Sequence, residues 1–350
     1  MSNGERQTRR EFLRVLGGAA FGVALSACGG AAAPGGSAPA SRASAGSVSP
    51  SSSGAGAALK VAYVTTGGTH APLWIAEEIG AFQKYGLKVS DQFIQGDIAT
   101  KAMIAKEVDV ILQSAAPVIT ADLNGNAGIV FIGSVLNHSQ FALLVHPSIK
   151  SAADLKGKAW GTDKPGTTGD YQTKLLLKLL GLQASDVVIR ELGGNDIPLK
   201  ALLSGQVQAA PMIPPFTFQG VAQGYAILKD TYDQAYQNVG AVVGKARIPE
   251  MRPALVSFLA GYRDGIQAFN AQPDVAINVL RQYTKETDET LLKQTYDFYK
   301  SQAPFQADLQ PTLPGIQNML EFLGTSIPAA KGSKPEEFVD TSLLAEMPKS

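Results

Sequence analysis

The chain has 350 residues, with 30 Lys or Arg balanced by 30 Asp or Glu, so its formal net charge is zero. No basic excess points to nucleic acid, and a 45% hydrophobic content suits a globular chain with a real core. One cysteine and three histidines exclude a disulfide scaffold and leave too few ligands for a Cys/His zinc cluster.

The chain opens on an address. Arg9-Arg10 stands before Phe12-Leu13 and the apolar run Val15 to Ala27. That run falls short of the ~20 apolar residues needed to span a bilayer, and its Gly17, Gly18 and Gly22 disfavour a stable helix. It reads as the core of a secretion signal over residues 1–27, and the paired arginines resemble the twin-arginine signal for exporting folded proteins. Leu25-Ser26-Ala27-Cys28 resembles a bacterial lipobox, with Cys28 as the lipidated residue. Residues 28–58 are then a tether built almost wholly of Gly, Ala and Ser, which cannot bury enough apolar surface to fold.

From Leu59 the pattern alternates strand and helix. Leu59–Val64 reads as a buried strand, followed by a Gly-rich loop and a helix opened by Pro72. Strand Leu87–Ile94, helix Ile98–Lys106, strand Val108–Gln113, helix Pro117–Leu123 and strand Ile129–Val135 complete a first set. Phe141–His146 is a strand that leads elsewhere. A second set holds strands at Ala159–Thr162, Val187–Leu192, Val207–Ile213 and Ala226–Leu228. Its helices lie at Thr167–Leu180, with Leu175, Leu176, Leu179 and Leu180 inward, at Ile197–Leu203 and at Phe216–Gln223. Val239–Val243 is a returning strand, and the remainder is helical, with Leu255, Leu259, Tyr262, Ile266 and Phe269 on one stripe. Strands separated by helices imply an α/β fold with mostly parallel sheets flanked by helices, in two lobes with a cleft between them.

Several segments carry a resemblance. They are Ala71-Pro72-Leu73-Trp74-Ile75-Ala76 with Gly80-Ala81-Phe82, and Tyr85-Gly86-Leu87-Lys88-Val89. Glu107-Val108-Asp109-Val110, Asp154-Leu155-Lys156-Gly157-Lys158 and Ala201 to Val207 follow in order. Over roughly residues 59–285 the chain resembles the extracytoplasmic solute-binding proteins of bacterial ABC importers, in the branch for nitrate, sulfonate, taurine and thiamine-pyrimidine precursors. Lys106 and Gln208 depart from that pattern, where the family often has Gly and Asp. The resemblance implies the two-lobed periplasmic-binding-protein type II fold. Lobe 1 would comprise 59–145 plus 239–350 and lobe 2 146–238, closing on a ligand by hinge motion. It implies ABC permease and ATPase partners, a monomeric chain held outside the cytoplasm by its lipid anchor, and no cofactor, metal or nucleic acid.

Ligands of open α/β sheets bind beyond the carboxyl ends of strands, where helix N-termini offer free N–H groups. The loops after strands therefore supply the candidates. Thr65, Gly67, Gly68 and His70 come from the first, where the glycines allow close approach and His70, before a Pro, is expected to be partly exposed. Ser114 either caps a helix or meets the ligand. Asn137 and His138 sit beside the crossover, either in a solvated turn or at the cleft. Thr167 and Thr168, after Gly166, form the best anion cradle. Asn195 follows two glycines, and Phe216 is either a cleft wall or core. Trp74 either flanks the cleft or is structural, and Trp160 is expected in the core.

These loops contain no Arg, which favours a singly charged anion or a neutral heterocycle over a multiply charged ligand. The expected function is solute capture without turnover. An enzyme on the same scaffold, such as one of pyrimidine metabolism, and a lipid-anchored sensor domain are the competing readings. An enzyme would need a nucleophile with a base or a metal, yet no HExxH or Gly-x-Ser-x-Gly motif is present.

Overall fold

The computed structural model describes residues 57–194 and 196–349. The signal, Cys28, most of the tether and Asn195 lie outside the described residues.

The first half runs β1 (Ala57–Tyr63), α1 (Ala71–Glu78), α2 (Ala81–Lys84), β2 (Leu87–Phe93), α3 (Gly96–Ile104), β3 (Val110–Gln113), α4 (Ala115–Gly125) and β4 (Ile129–His138). A short crossover leads to β5 (Ala142–Val145), β6 (Ala159–Thr162), α5 (Thr168–Leu179), β7 (Val188–Glu191), α6 (Ile197–Leu203), β8 (Ala209–Met212), α7 (Phe216–Ala222) and β9 (Ala226–Asp230). The chain returns on β10 (Ala235–Gly244). It ends in α8 (Ile248–Ala271), α9 (Pro273–Thr284), α10 (Glu289–Ser301) and α11 (Leu313–Leu323), with short 3-10 turns around them.

Two five-stranded sheets result, with strand orders β2-β1-β3-β10-β4 and β7-β6-β8-β5-β9. The expectation of parallel pairing holds where a helix joins consecutive strands. β1 pairs in parallel with β2 and β3, and β6 with β7 and β8. Both sheets are mixed because β5 and β10, the strands that carry the chain between them, run antiparallel to their neighbours.

Period-two alternation places each sheet between two apolar layers. Leu59, Val61, Val110, Leu112 and Ile132 face one core with α1 and α8, while Ala62, Ile111, Phe131 and Val242 face the other with α4 and α11. In the second sheet Leu143, Val145 and Trp160 meet Leu176 and Leu177 of α5. Leu144, Ala210 and Met212 meet Leu199 and Leu202 of α6. Burying each large side chain contributes about 1.5–3 kcal/mol. The inward face of α5 is thus Leu176 and Leu177, and Leu179 is exposed, one position off the expected stripe. β1 starts at Ala57, inside the expected tether, because Ala57 and Ala58 pair with Leu87 and Lys88.

Polar side chains hold the two crossovers together. Ser139 Oγ and Thr231 Oγ1 are 2.5 Å apart, and Ser139 and Thr231 both donate to Gln172 Oε1 at 3.1 Å. Gln140 Nε2 donates to Thr69 Oγ1 at 3.0 Å, and the Tyr299 hydroxyl donates to Gln140 Oε1. Each of these residues is buried, so the bonds fix the crossover segments.

Candidate functional site: the cleft between the sheets

The carboxyl ends of strands from both sheets converge on one cleft of about 130 Å³. That is near the ~150 Å³ at which an apolar cavity takes up benzene. Thr65 and His70 follow β1, Gln95 to Asp97 follow β2, and Ser114 follows β3. From the second sheet, Asp163 follows β6, Gly193 and Gly194 follow β7, and Met212 and Ile213 end β8.

Of the expected residues, Thr65, His70, Ser114, Thr167 and Thr168 line this cleft. Gly67, Gly68, Asn137 and Phe216 lie elsewhere, and Asn195 is outside the described residues. Gly67 and Gly68 pack where the two halves touch: a Cβ on Gly67 would lie 2.7 Å from Ile213 Cδ1, and Gly68 N–H donates to the Pro214 carbonyl at 3.3 Å. Asn137 is spent on structure, since it accepts from Ser134 Oγ at 2.7 Å and donates to the Gln310 carbonyl at 2.8 Å. Phe216 is core, 5% exposed beside Leu199 and Leu202. Trp74 is also core, stacked on Tyr283 at 4.3 Å between centroids, as is Trp160 at 0% exposure.

His70 corrects an expectation. It is fully buried, not partly exposed, because the 3-10 turn Gly68–His70 tucks its ring against Tyr63 and Trp74. Its Nε2 accepts the Val64 N–H at 3.4 Å. Burial holds its pKa down to about 3, so the ring is neutral at ordinary pH. With Nε2 accepting, the proton resides on Nδ1, which has no hydrogen-bond partner among the described residues.

Most polar walls are already paired. Gln113 donates to the Gly96 carbonyl at 2.9 Å and accepts the Ser114 N–H at 2.9 Å, which ties the end of β3 to the start of α3. The Thr167–Asp170 loop closes on itself. Gly166 N–H donates to Asp170 Oδ2 at 3.0 Å, Asp170 N–H to Thr167 Oγ1 at 3.4 Å, and Thr167 Oγ1 to the Lys164 carbonyl at 2.7 Å. Ser114 Oγ and Thr168 Oγ1 meet at 2.5 Å across the cleft. No hydroxyl of this pair touches a histidine.

Two acidic residues were missed by the sequence reading, Asp97 in the first turn of α3 and Asp163 immediately after β6. Burial raises the Asp163 carboxyl above the usual range. The rule that located the other loops, the carboxyl ends of strands, also points to both. No Lys or Arg lines the cleft among the described residues. Nor do those residues contain a group of three or more His, Cys, Asp or Glu placed to hold a metal.

A family model described as NMT1/THI5 like matches residues 68–276. No match was found among curated protein sequences. Among solved structures, a protein of Bordetella bronchiseptica RB50 is 20% identical with a TM-score of 0.68, covering 83% of this chain and 96% of its own. The periplasmic aliphatic sulphonate binding protein SsuA of Escherichia coli is 18% identical with a TM-score of 0.65, over 81% of this chain and 92% of its own. The alkanesulfonate-binding protein SsuA of Xanthomonas axonopodis pv. citri, bound to MOPS, is 17% identical with a TM-score of 0.66, over 84% and 98%. These likenesses place the fold among periplasmic binding proteins.

Proposed function

Because this chain belongs to the NMT1/THI5-like family, we propose that it is the solute-capturing component of an ABC importer. It takes one small anion or heterocycle into the cleft, closes, and delivers it to a membrane permease driven by an ATPase. The observation that carries this reading is the cleft itself. It lies between two sheets joined by two short crossovers, and contacts such as Ser114–Thr168 span it. A hinge and a closing contact are what capture and release require.

The same reading places the chain outside the cytoplasm as a monomer. A twin-arginine signal would export it, and a lipid on Cys28 would anchor it through a flexible tether, in the periplasm or on the outer face of the plasma membrane. No turnover is expected: the buried His70 is neutral and engaged with backbone, and the sole cysteine is Cys28.

Thermal melting of the purified chain against nitrate, taurine, alkyl sulfonates, aromatic acids and thiamine-pyrimidine compounds tests this. A ligand that binds only the folded state stabilises it by about 2.7 kcal/mol at a hundredfold excess over Kd. Recovery of the bound compound unchanged supports capture. Catalytic conversion of any compound would overturn it.

A further inference from the structure

The N-termini of α3, α4 and α5 open on the cleft, as does that of α1, whose N-cap His70 lines it. Each such terminus carries about half a positive charge and free N–H groups, which suits an oxyanion. At α3 and α5 that positive end already carries the protein's own carboxylates. Asp97 stands in the first turn of α3. At α5, Asp170 takes the Gly166 N–H, and Asp163 packs against the first turn, where a Cβ on Gly169 would lie 2.7 Å from Asp163 Cβ. α4, which starts Ala115-Ala116-Pro117, and α1 have no acidic residue in the first turn.

These carboxylates are not equivalent. Asp97 pairs with the exposed Lys101 at 3.4 Å, and Asp170 with Lys174 at 2.8 Å. Asp163 has no ion-pair partner among the described residues; its Oδ1 accepts the backbone N–H of Lys164 at 2.8 Å. Its Oδ2 faces Gly194, 3.6 Å from where a Cβ there would stand. An oxyanion entering the cleft would meet this half-buried negative charge; the cation acting on it is the exposed Lys164 next in the chain, which does not line the cleft.

An independent feature is a buried donor in the wall. His70 lines the cleft at 0% exposure, and its Nδ1–H has no acceptor among the described residues. A buried donor left unmade is costly, and a bound molecule that offers an acceptor would satisfy it.

Resting on the capture reading, we propose that Asp163 determines specificity and that the ligand presents a neutral or cationic N–H head, an amine, amide or amidine, instead of an oxyanion. The head donates to the Asp163 carboxylate, and a separate acceptor on the ligand takes the His70 Nδ1–H.

Benzamidinium, benzamide and benzoate are near-isosteric planar probes that differ in charge. Calorimetric titration of the full chain with each should place benzamidinium ahead of benzoate by about tenfold or more. Asp163→Asn keeps the shape and removes the charge, so it should cut that ratio to about threefold or less. An unchanged melting temperature of the unliganded variant establishes that it folds. Benzoate binding as well as benzamidinium, an unchanged ratio in the variant, or no binding of either probe overturns the inference. Binding of benzoate, nitrate or a sulfonate alone would sink the charge assignment and leave capture standing. Turnover of a bound compound would sink capture itself.

Discussion

Ser114 Oγ and Thr168 Oγ1 approach to 2.5 Å, so the N-cap of α4 from the first sheet touches the first residue of α5 from the second. The contact therefore depends on the angle between the two halves. It is seconded by the Gly68 N–H to Pro214 carbonyl bond and by Gln219 Nε2 donating to Glu286 Oε2 at 2.8 Å. A neutral hydrogen bond of this kind contributes about 0.5–1.5 kcal/mol net. Ser114→Ala should accordingly shift the equilibrium toward an open form and weaken ligand binding by about 2–10-fold. Small-angle scattering and calorimetry on the variant check it. Unaltered dimensions together with unaltered affinity would remove the pair from the closing mechanism.

Gly265 of α8 sits against α1 so closely that a Cβ there would lie 2.2 Å from the Pro72 carbonyl oxygen and 2.9 Å from Ala76 Cβ. The obstacle is backbone, which cannot rotate away. Gly265→Ala would gain helix propensity but force the two helices apart, and overpacking of this kind costs about 1–3 kcal/mol. The melting temperature should fall by several degrees, at about 2–4 °C per kcal/mol for a domain of this size. A melting temperature equal to or above that of the parent chain would show that α1 and α8 have slack.

Glu77, near the end of α1, is pushed up to about 8 by burial and secondarily by the nearby Asp91 on β2, whose own carboxyl burial also raises. The folded state therefore keeps a proton that the unfolded chain releases near pH 4.5. Stability from this group is full at acid pH, declines as pH rises from about 4.5 to about 8, and is flat beyond. Glu77→Gln removes the decline. The variant should melt above the parent chain at pH 8, with the gap closing toward pH 4.5. Parallel melting curves across that range would refute the assignment.

His70 acts in the opposite direction. Its folded pKa of about 3 lies below the ordinary 6.5, so the unfolded chain binds the extra proton between those values. Its contribution is complete above pH 6.5 and is lost as pH falls toward 3. Urea midpoints of the parent and of His70→Gln should converge as pH drops from 7.5 to 4.5. If the variant instead loses ground at acid pH, the imidazole is charged in the fold.

Element by element, most of the architecture was legible in the residues. Helices such as Glu289–Ser301 and Leu313–Leu323 carry stripes at helical spacing, and strands such as Ala159–Thr162 are short apolar runs between turn signals. The cleft was legible only in part. Ser114, Thr167 and Thr168 follow strands in loops rich in small or hydroxyl residues, and such loops advertise helix starts. Asp97 and Asp163 also follow strands, but an acidic residue near a helix N-terminus reads as an ordinary cap or dipole partner. Gly67 and Gly68 do mark a close approach, but the approaching group is Ile213 and Pro214 of the other half.

The chain's own order of apolar and turn residues determined the alternating elements, because periodicity and turn chemistry act over a few neighbours. It also set the charge balance and the small-residue tether. Tertiary structure decided what those elements enclose. Two crossovers bring Asp97 and Asp163 to one cleft, bury the His70 ring and turn Asn137 and Phe216 away. Burial, pairing and the sign of the field at a point are sums over residues distant in the chain, and only the folded chain performs that sum.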